Sequence, residues 1–161
     1  MIPVQQTRMG SPEGNCTEAC VASLLEVSLD DLPDLAAADA MGLDRWKVLG
    51  EYVQAKGFDL FWFDLEKTEL GDFFPDQLIP DLPWSGYHLM AGPNPDGVPH
   101  MVVGADGRMV WDPNPKKGGI QWVDGFGLLL RTGETPQKWA EHFRNSYLYA
   151  RVQWSANDRT C

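Results

Sequence analysis

The chain is short of basic residues, and this shortage excludes one class of protein. The sequence has 13 Lys and Arg against 23 Asp and Glu, which gives a formal net charge of -10. Because a surface that binds nucleic-acid phosphates needs clustered positive charge, we expect no nucleic-acid partner. The 3 cysteines are too few and too oddly numbered for a disulfide framework, so a free reactive thiol in a reducing compartment is expected instead.

The sequence also has no apolar run long enough to span a bilayer, and its first residues lack the apolar core of a signal peptide. We therefore expect a cytoplasmic protein without a membrane partner. The length of 161 residues and the hydrophobic content of 43% predict a single domain over residues 1–161. No pattern calls for a cofactor, and the oligomeric state stays open.

A candidate nucleophile stands where a loop runs into a helix. The apolar positions from Cys16 to Val27 follow helical spacing, and Asn15 is predicted to cap this helix. A thiol attacks a carbonyl group as the thiolate, which a helix N-terminus or a neighbouring cation stabilises. Cys20, one turn later, is expected to lie in the core.

His100 and Asp112 lie on two segments that are predicted to form a hairpin. A two-residue loop at 106–107 would put the two side chains on opposite faces of the sheet, because strand side chains alternate. A three-residue loop at 105–107, closed by a glycine, puts His100 directly opposite Asp112, and we predict this register. The face that should receive the Cys16 helix then carries His100, Val102, Val110 and Asp112.

An imidazole that cycles between proton donor and acceptor needs its second nitrogen fixed, which Asp112 could do. A carbonyl under attack develops an oxyanion that needs hydrogen-bond donors. The backbone N–H of Cys16 and the side-chain amide of Gln6 or Gln5 are the candidates. The tryptophans expected to flank this site are Trp84, Trp111 and Trp122.

The remaining pattern predicts a mixed α+β fold. A second helix is expected over 45–55, capped by Asp44, and strands are expected over 60–63 and 86–92. Residues 64–85 read as mostly irregular. A short helix over 137–144 and a closing strand over 147–154 complete the prediction.

These residues resemble the cysteine peptidase domain of bacteriocin-processing transporters, which remove double-glycine leaders, and the soluble relatives of that domain within the papain-like group. The resemblance covers about residues 1–115. It is carried by Gln6, Asn15–Cys16, Ala19–Cys20, the segment 100–104 and the segment 111–113. Three features depart from the family pattern: Asn15 replaces the usual Asp, Thr17 replaces the usual Gly, and the gap between Gln6 and Cys16 is longer.

The resemblance implies that Cys16 is the nucleophile, His100 the general acid and base, Asp112 its orienting partner, and a glutamine the oxyanion donor. It also implies a papain-like fold in which the nucleophile helix packs on an antiparallel sheet. Free-standing proteins of this pattern are associated with phage and prophage genomes.

The function predicted from these features is a thiol-dependent hydrolase that cleaves an amide, peptide or isopeptide bond of a peptide or protein substrate through a thioester. Three alternatives stay open. The same residues could serve a deamidase or a transglutaminase-type acyl transferase, and the domain could be an inert papain-like module that binds a protein partner. A zinc site is the least favoured, because the spacing of Cys16 and Cys20 is a poor copy of a zinc knuckle. Its ligands would be Cys16, Cys20, His88 and His100.

Overall fold

The computed structural model describes residues 1–10, 12–64, 86–116 and 118–133, in which helices pack on a five-stranded antiparallel sheet. The helices are α1 (Cys16–Leu25), α2 (Leu35–Ala40) and α3 (Arg45–Ala55), with a 3-10 turn at Leu29–Asp31. The strands are β1 (Phe58–Asp64), β2 (Tyr87–Pro93), β3 (Pro99–Ala105), β4 (Arg108–Trp111) and β5 (Gly125–Arg131). The strand order is β1-β5-β2-β3-β4, and the predicted α+β class is confirmed.

Helix α1 begins at Cys16, as predicted, and ends at Leu25, where Glu26 takes a left-handed φ of 57°. The predicted capping role of Asn15 is wrong, because its side chain makes no hydrogen bond to the first turn of α1. The side-chain oxygen accepts hydrogen bonds from the backbone N–H groups of Thr7 and Arg8 instead. Asn15 therefore joins the helix start to the N-terminal segment.

Helix α3 has the predicted bounds, and the Asp44 carboxylate accepts the N–H groups of Trp46 and Lys47 as its cap. The two predicted strands correspond to β1 and β2, which are each somewhat longer or shifted by a residue. Helix α2 and strand β5 were not predicted. The predicted helix over 137–144, the predicted strand over 147–154 and residues 65–85 lie outside the described residues.

The hairpin of β3 and β4 corrects the predicted register. Its loop has two residues, Asp106 and Gly107, with φ of 51° and 75°, and Ala105 pairs with Arg108. A two-residue loop with two left-handed residues matches the twist of the strands. The predicted three-residue loop is therefore wrong.

A β-bulge places His100 and Asp112 on the same side of the sheet, although a two-residue loop alone would put them on opposite sides. The pairing shifts between Val103 and Gly104, so that Val103 pairs with Trp111 instead of Val110. One extra residue in a strand reverses which side chains share a face beyond it. Asp112, just after β4, therefore meets His100 on one side of the sheet, although the two are not a directly opposed pair.

The face that α1 covers also differs from the prediction. The core cluster joins Cys20 and Val21 of α1 to Leu89, Met101 and Val103. These strand residues alternate with His100 and Val102, so the expected packing of α1 on the His100 face is wrong. The side chain of His100, at the start of β3, lies near Cys16, the first residue of α1. Among the described helices, none has the length and apolar character to cross a membrane.

Candidate active site

Three distant segments meet at the start of α1: Cys16 from the helix, His100 from β3 and Asp112 from the residue after β4. The Nε2 atom of His100 lies 2.8 Å from Oδ1 of Asp112. The Cys16 thiol lies close enough to His100 to help raise the pKa of the imidazole, and both residues line one cleft. Because Nε2 bonds the carboxylate, Nδ1 is the ring nitrogen left to interact with the sulfur.

Asp112 is held from two directions besides His100. Its Oδ1 accepts the backbone N–H of Asn114 at 2.8 Å, and its Oδ2 accepts the backbone N–H of Gly119 at 2.7 Å. Burial raises the pKa of this carboxyl, but the hydrogen bonds from His100 and the two backbone groups outweigh burial and lower the pKa. The side chain therefore shapes its local turn and also presents an ionised carboxylate to His100.

His100 is a buried cation in this arrangement. Burial by itself lowers the pKa of the imidazole, but the hydrogen bond with Asp112 and the neighbouring Cys16 thiol outweigh burial and raise the pKa to about 9. A group with that pKa carries its proton at neutral pH. It can therefore stabilise an adjacent thiolate and later donate the proton to a leaving group.

The two described cysteines differ in access. Cys16 is half-buried and lines a cleft of about 380 Å³ together with His100 and Gln6. Cys20 is fully buried, and its sulfur contacts the backbone oxygen of Met101 at 3.4 Å. Burial raises the pKa of Cys20 well above its ordinary value, so this thiol stays protonated in the core.

The position of the glutamines favours Gln6 over Gln5 as an oxyanion donor. Gln6 is buried and lines the cleft, whereas Gln5 is exposed and does not belong to the cleft wall. The backbone N–H of Gln6 donates to Pro113, next to Asp112, at 3.0 Å. Its side-chain Nε2 donates to the backbone oxygen of Arg8 at 2.9 Å and lies 3.0 Å from the sulfur of Met9.

A second donor is available at the helix start. No group among the described residues accepts a hydrogen bond from the Cys16 backbone N–H, which belongs to the unpaired first turn of α1. When the Cys16 sulfur attacks a carbonyl group, the resulting oxyanion could therefore accept a hydrogen bond from this N–H. The oxyanion could also accept a hydrogen bond from Gln6 Nε2. It would then take the place of the Met9 sulfur, which is a weak acceptor on an exposed side chain.

Sequence reasoning missed the aromatic wall of this cleft. The tryptophans among its described lining residues are Trp46 from α3 and Trp62 from β1, whose ring centroids lie 5.2 Å apart. Of the three tryptophans expected there, Trp84 lies outside the described residues. Trp111 packs against the core cluster, and neither Trp111 nor Trp122 lines the cleft. The helical pattern around Asp44 was the one available signal for Trp46, because it indicated a half-exposed face.

Comparisons of the chain with protein-family models, with curated proteins and with solved structures find no match. In the part of the chain that the structure describes, no group of three or more His, Cys, Asp or Glu side chains could hold a metal ion.

Proposed function

We propose that this protein is a thiol-dependent hydrolase with a papain-like fold, acting on an amide, peptide or isopeptide bond of a peptide or protein substrate. One observation carries the proposal: the buried imidazole of His100 bonds the Asp112 carboxylate and lies near the Cys16 thiol in one cleft. A reduced thiol is required for this chemistry, which favours a reducing compartment such as the cytoplasm.

In the acylation step, the Cys16 thiolate attacks the substrate carbonyl carbon and forms a C–S bond, while the carbonyl electron pair moves to oxygen. The oxyanion accepts hydrogen bonds from the Cys16 N–H and from Gln6 Nε2. Collapse of this intermediate breaks the C–N bond, and the leaving amine takes the proton from His100. The products are a thioester on Cys16, a free amine and a neutral imidazole.

In the deacylation step, neutral His100 takes a proton from water, and the resulting hydroxide equivalent attacks the thioester carbonyl. The C–S bond breaks, the carboxylic acid leaves and the ion pair of Cys16 with His100 is restored. Asp112 keeps the imidazole oriented throughout both steps. If the substrate amide is a glutamine side chain, ammonia is the leaving amine and attack by water completes a deamidation. If an amine replaces water in the second step, the same residues carry out acyl transfer.

The experiment that tests this proposal is the rate of iodoacetamide alkylation at Cys16 between pH 4 and pH 9, with Cys20 and Cys161 monitored separately by mass spectrometry. We compare the native chain with His100→Ala and with a matched control, His88→Asn, which alters the other buried histidine. Thiolates paired with a cation react well below the ordinary thiol range, so Cys16 should be labelled fast below about pH 7.

The expected result is a loss of that low-pH reactivity by about 10-fold or more in His100→Ala but not in His88→Asn. A Cys16 that reacts no faster than glutathione in the native chain would contradict the proposed hydrolase. In that case, a stable protein complex that survives Cys16→Ala would instead support the binding-module alternative.

A further inference from the structure

Asn15, immediately before Cys16, is buried and bonded almost entirely to the segment of residues 7–8. Its Oδ1 accepts the backbone N–H groups of Thr7 at 3.0 Å and Arg8 at 2.9 Å. Its Nδ2 donates to Oγ1 of Thr7 at 3.1 Å, and its backbone N–H donates to the oxygen of Arg8 at 3.3 Å. Four hydrogen bonds therefore tie the start of α1 to this segment.

The backbone oxygen of Arg8 links this cluster to the oxyanion donor. It accepts the Asn15 backbone N–H and also the side-chain Nε2 of Gln6, at 2.9 Å. The other side-chain atom, Gln6 Oε1, is buried without a hydrogen-bond partner in the described part of the chain. The orientation of the amide therefore depends on what Nε2 contacts, and the stronger of those acceptors is the Arg8 oxygen.

We propose that Asn15 is a positioning residue that holds the amide of Gln6 in place relative to Cys16, so that both oxyanion donors keep their geometry. The inference rests on the proposed function and extends it to a residue outside the triad. An oxyanion hole works only when its donors are preorganised within fractions of an ångström. Asn15 and Cys16 are consecutive, so the residue that fixes the donor segment moves with the nucleophile.

Asparagine fits this role because one side chain both accepts and donates hydrogen bonds. Alanine at this position would leave the N–H groups of Thr7 and Arg8 without their acceptor. The segment would nevertheless stay attached, because the Arg8 side chain pairs with Asp34 at 2.7 Å and 3.0 Å. We therefore expect a displaced Gln6 amide in a folded protein.

Ser23 supplies a matched control for a merely structural contact between the same two parts of the chain. It lies in α1, is fully buried, and its Oγ accepts the backbone N–H of Val4 at 2.9 Å. Ser23→Ala removes a hydrogen bond of the same kind between α1 and the N-terminal segment, two turns away from Cys16.

The test compares two reagents at Cys16. Acylation by p-nitrophenyl acetate forms a C–S bond through an oxyanion and releases p-nitrophenolate, whereas alkylation by iodoacetamide displaces iodide at a saturated carbon and forms no oxyanion. The ratio of the two rates therefore reports the oxyanion donors separately from the nucleophile. Cys20 and Cys161 are again followed separately, and thermal melts report folding.

We expect Asn15→Ala to lower the acylation-to-alkylation ratio by about 10- to 100-fold, as partial loss of an oxyanion donor should. Asn15→Asp should keep most of the ratio, because a carboxylate still accepts both backbone N–H groups. Ser23→Ala should lower the melting temperature and leave the ratio unchanged. Gln6→Ala should reproduce the loss, and adding Asn15→Ala to Gln6→Ala should cost little more, because both changes remove one function.

Two results would overturn the positioning role while sparing the proposed function: an unchanged ratio in Asn15→Ala when Gln6→Ala lowers it, or fully additive losses in the double variant. Both proposals would be overturned if Cys16 in the native chain were acylated and alkylated no faster than Cys16 in His100→Ala.

Discussion

The two ends of the β2–β3 pair each bury a histidine, and the two side chains have opposite character. His88, paired with Gly104 at one end, is completely buried, and burial lowers the pKa of its imidazole. His100, paired with Gly92 at the other end, is 7% exposed and has its pKa raised to about 9 despite burial. The two ends of one hairpin therefore shift the pKa of a buried histidine in opposite directions.

The two histidines differ in pKa because their ring nitrogens have different partners. The Nδ1 of His88 bonds the backbone oxygen of Gly86 at 3.0 Å, while its Nε2 has no hydrogen-bond partner among the described residues. That nitrogen packs so closely on Gly104 that a Cβ there would lie 2.4 Å away. His100 has a carboxylate on one nitrogen and a thiol for the other. Burial alone therefore keeps an imidazole neutral, and an ionised neighbour reverses the outcome.

The largest expected effect comes from Asp112→Asn, which should make the His100 end resemble the His88 end. The variant removes the charge that keeps His100 protonated, and one amide oxygen cannot replace the two oxygens that accept from Asn114 and Gly119. We expect alkylation of Cys16 at pH 6 to fall by about 100-fold or more, in the range of a lost acid-base partner. The measurement is the alkylation pH profile, together with an NMR titration of His100. An unchanged pH profile would show that Asp112 stabilises only its local turn and does not affect the reactivity of Cys16.

An intermediate effect is expected on stability, with opposite pH dependence at the two ends. The raised pKa of His100 contributes stability that is complete below its ordinary value near 6.5 and is lost as pH rises through about 9. The lowered pKa of His88 contributes stability above its ordinary value that is lost as pH falls below it. The His100 contribution should be about 1 to 2 kcal/mol, allowing for partial solvent screening.

Urea unfolding of the native chain checks this prediction against two variants that keep a hydrogen-bond donor. His100→Gln can still donate to Asp112, and His88→Asn can still donate to Gly86. The stability difference between native and variant should shrink from pH 6 to pH 10 for His100 and from pH 8 to pH 5 for His88. Slopes of the same sign would show that the two histidines share one protonation state.

The smallest expected effect comes from Asp106→Asn, the counterpart of Asp112→Asn at the His88 end. Asp106 is exposed, its Oδ1 accepts the backbone N–H of Gly86 at 3.0 Å, and its charge has only a weak raising effect on the pKa of His88. Asparagine keeps the acceptor and tolerates the left-handed φ of 51°. A thermal melt should show a change below about 0.5 kcal/mol. A larger loss would show that the charge itself is required at this turn.

Local patterns predicted the elements that local physics controls. Helix α1 begins at Cys16 and α3 runs from Arg45 to Ala55, because apolar spacing and the Asp44 cap act within a few residues. The sequence also singled out Cys16, His100 and Asp112 as candidates, and the structure brings these three side chains together. Their catalytic roles remain the prediction that the alkylation experiment addresses.

The predictions that failed depended on partners more distant in the chain. Asn15 has the residue type of a helix cap, but Thr7 and Arg8 are better placed to use its oxygen. Strand β5 was missed because its apolar run lacks alternation and contains glycines, although it is buried between β1 and β2. Gly127 is needed there, since a Cβ would lie 2.9 Å from the ring of Trp62.

The sequence by itself determined which side chains are available for thiol chemistry, where the nucleophile helix begins, and that the fold is α+β. Only the tertiary structure decided that Gln6 and not Gln5 lines the cleft, and that Asn15 bonds the donor segment instead of its own helix. It also decided that a β-bulge opposite the Val103–Gly104 step, and not a longer loop, brings His100 and Asp112 to one side. The physical reason is range: spacing and capping act over one or two turns, whereas register and burial are set by contacts between segments far apart in the chain.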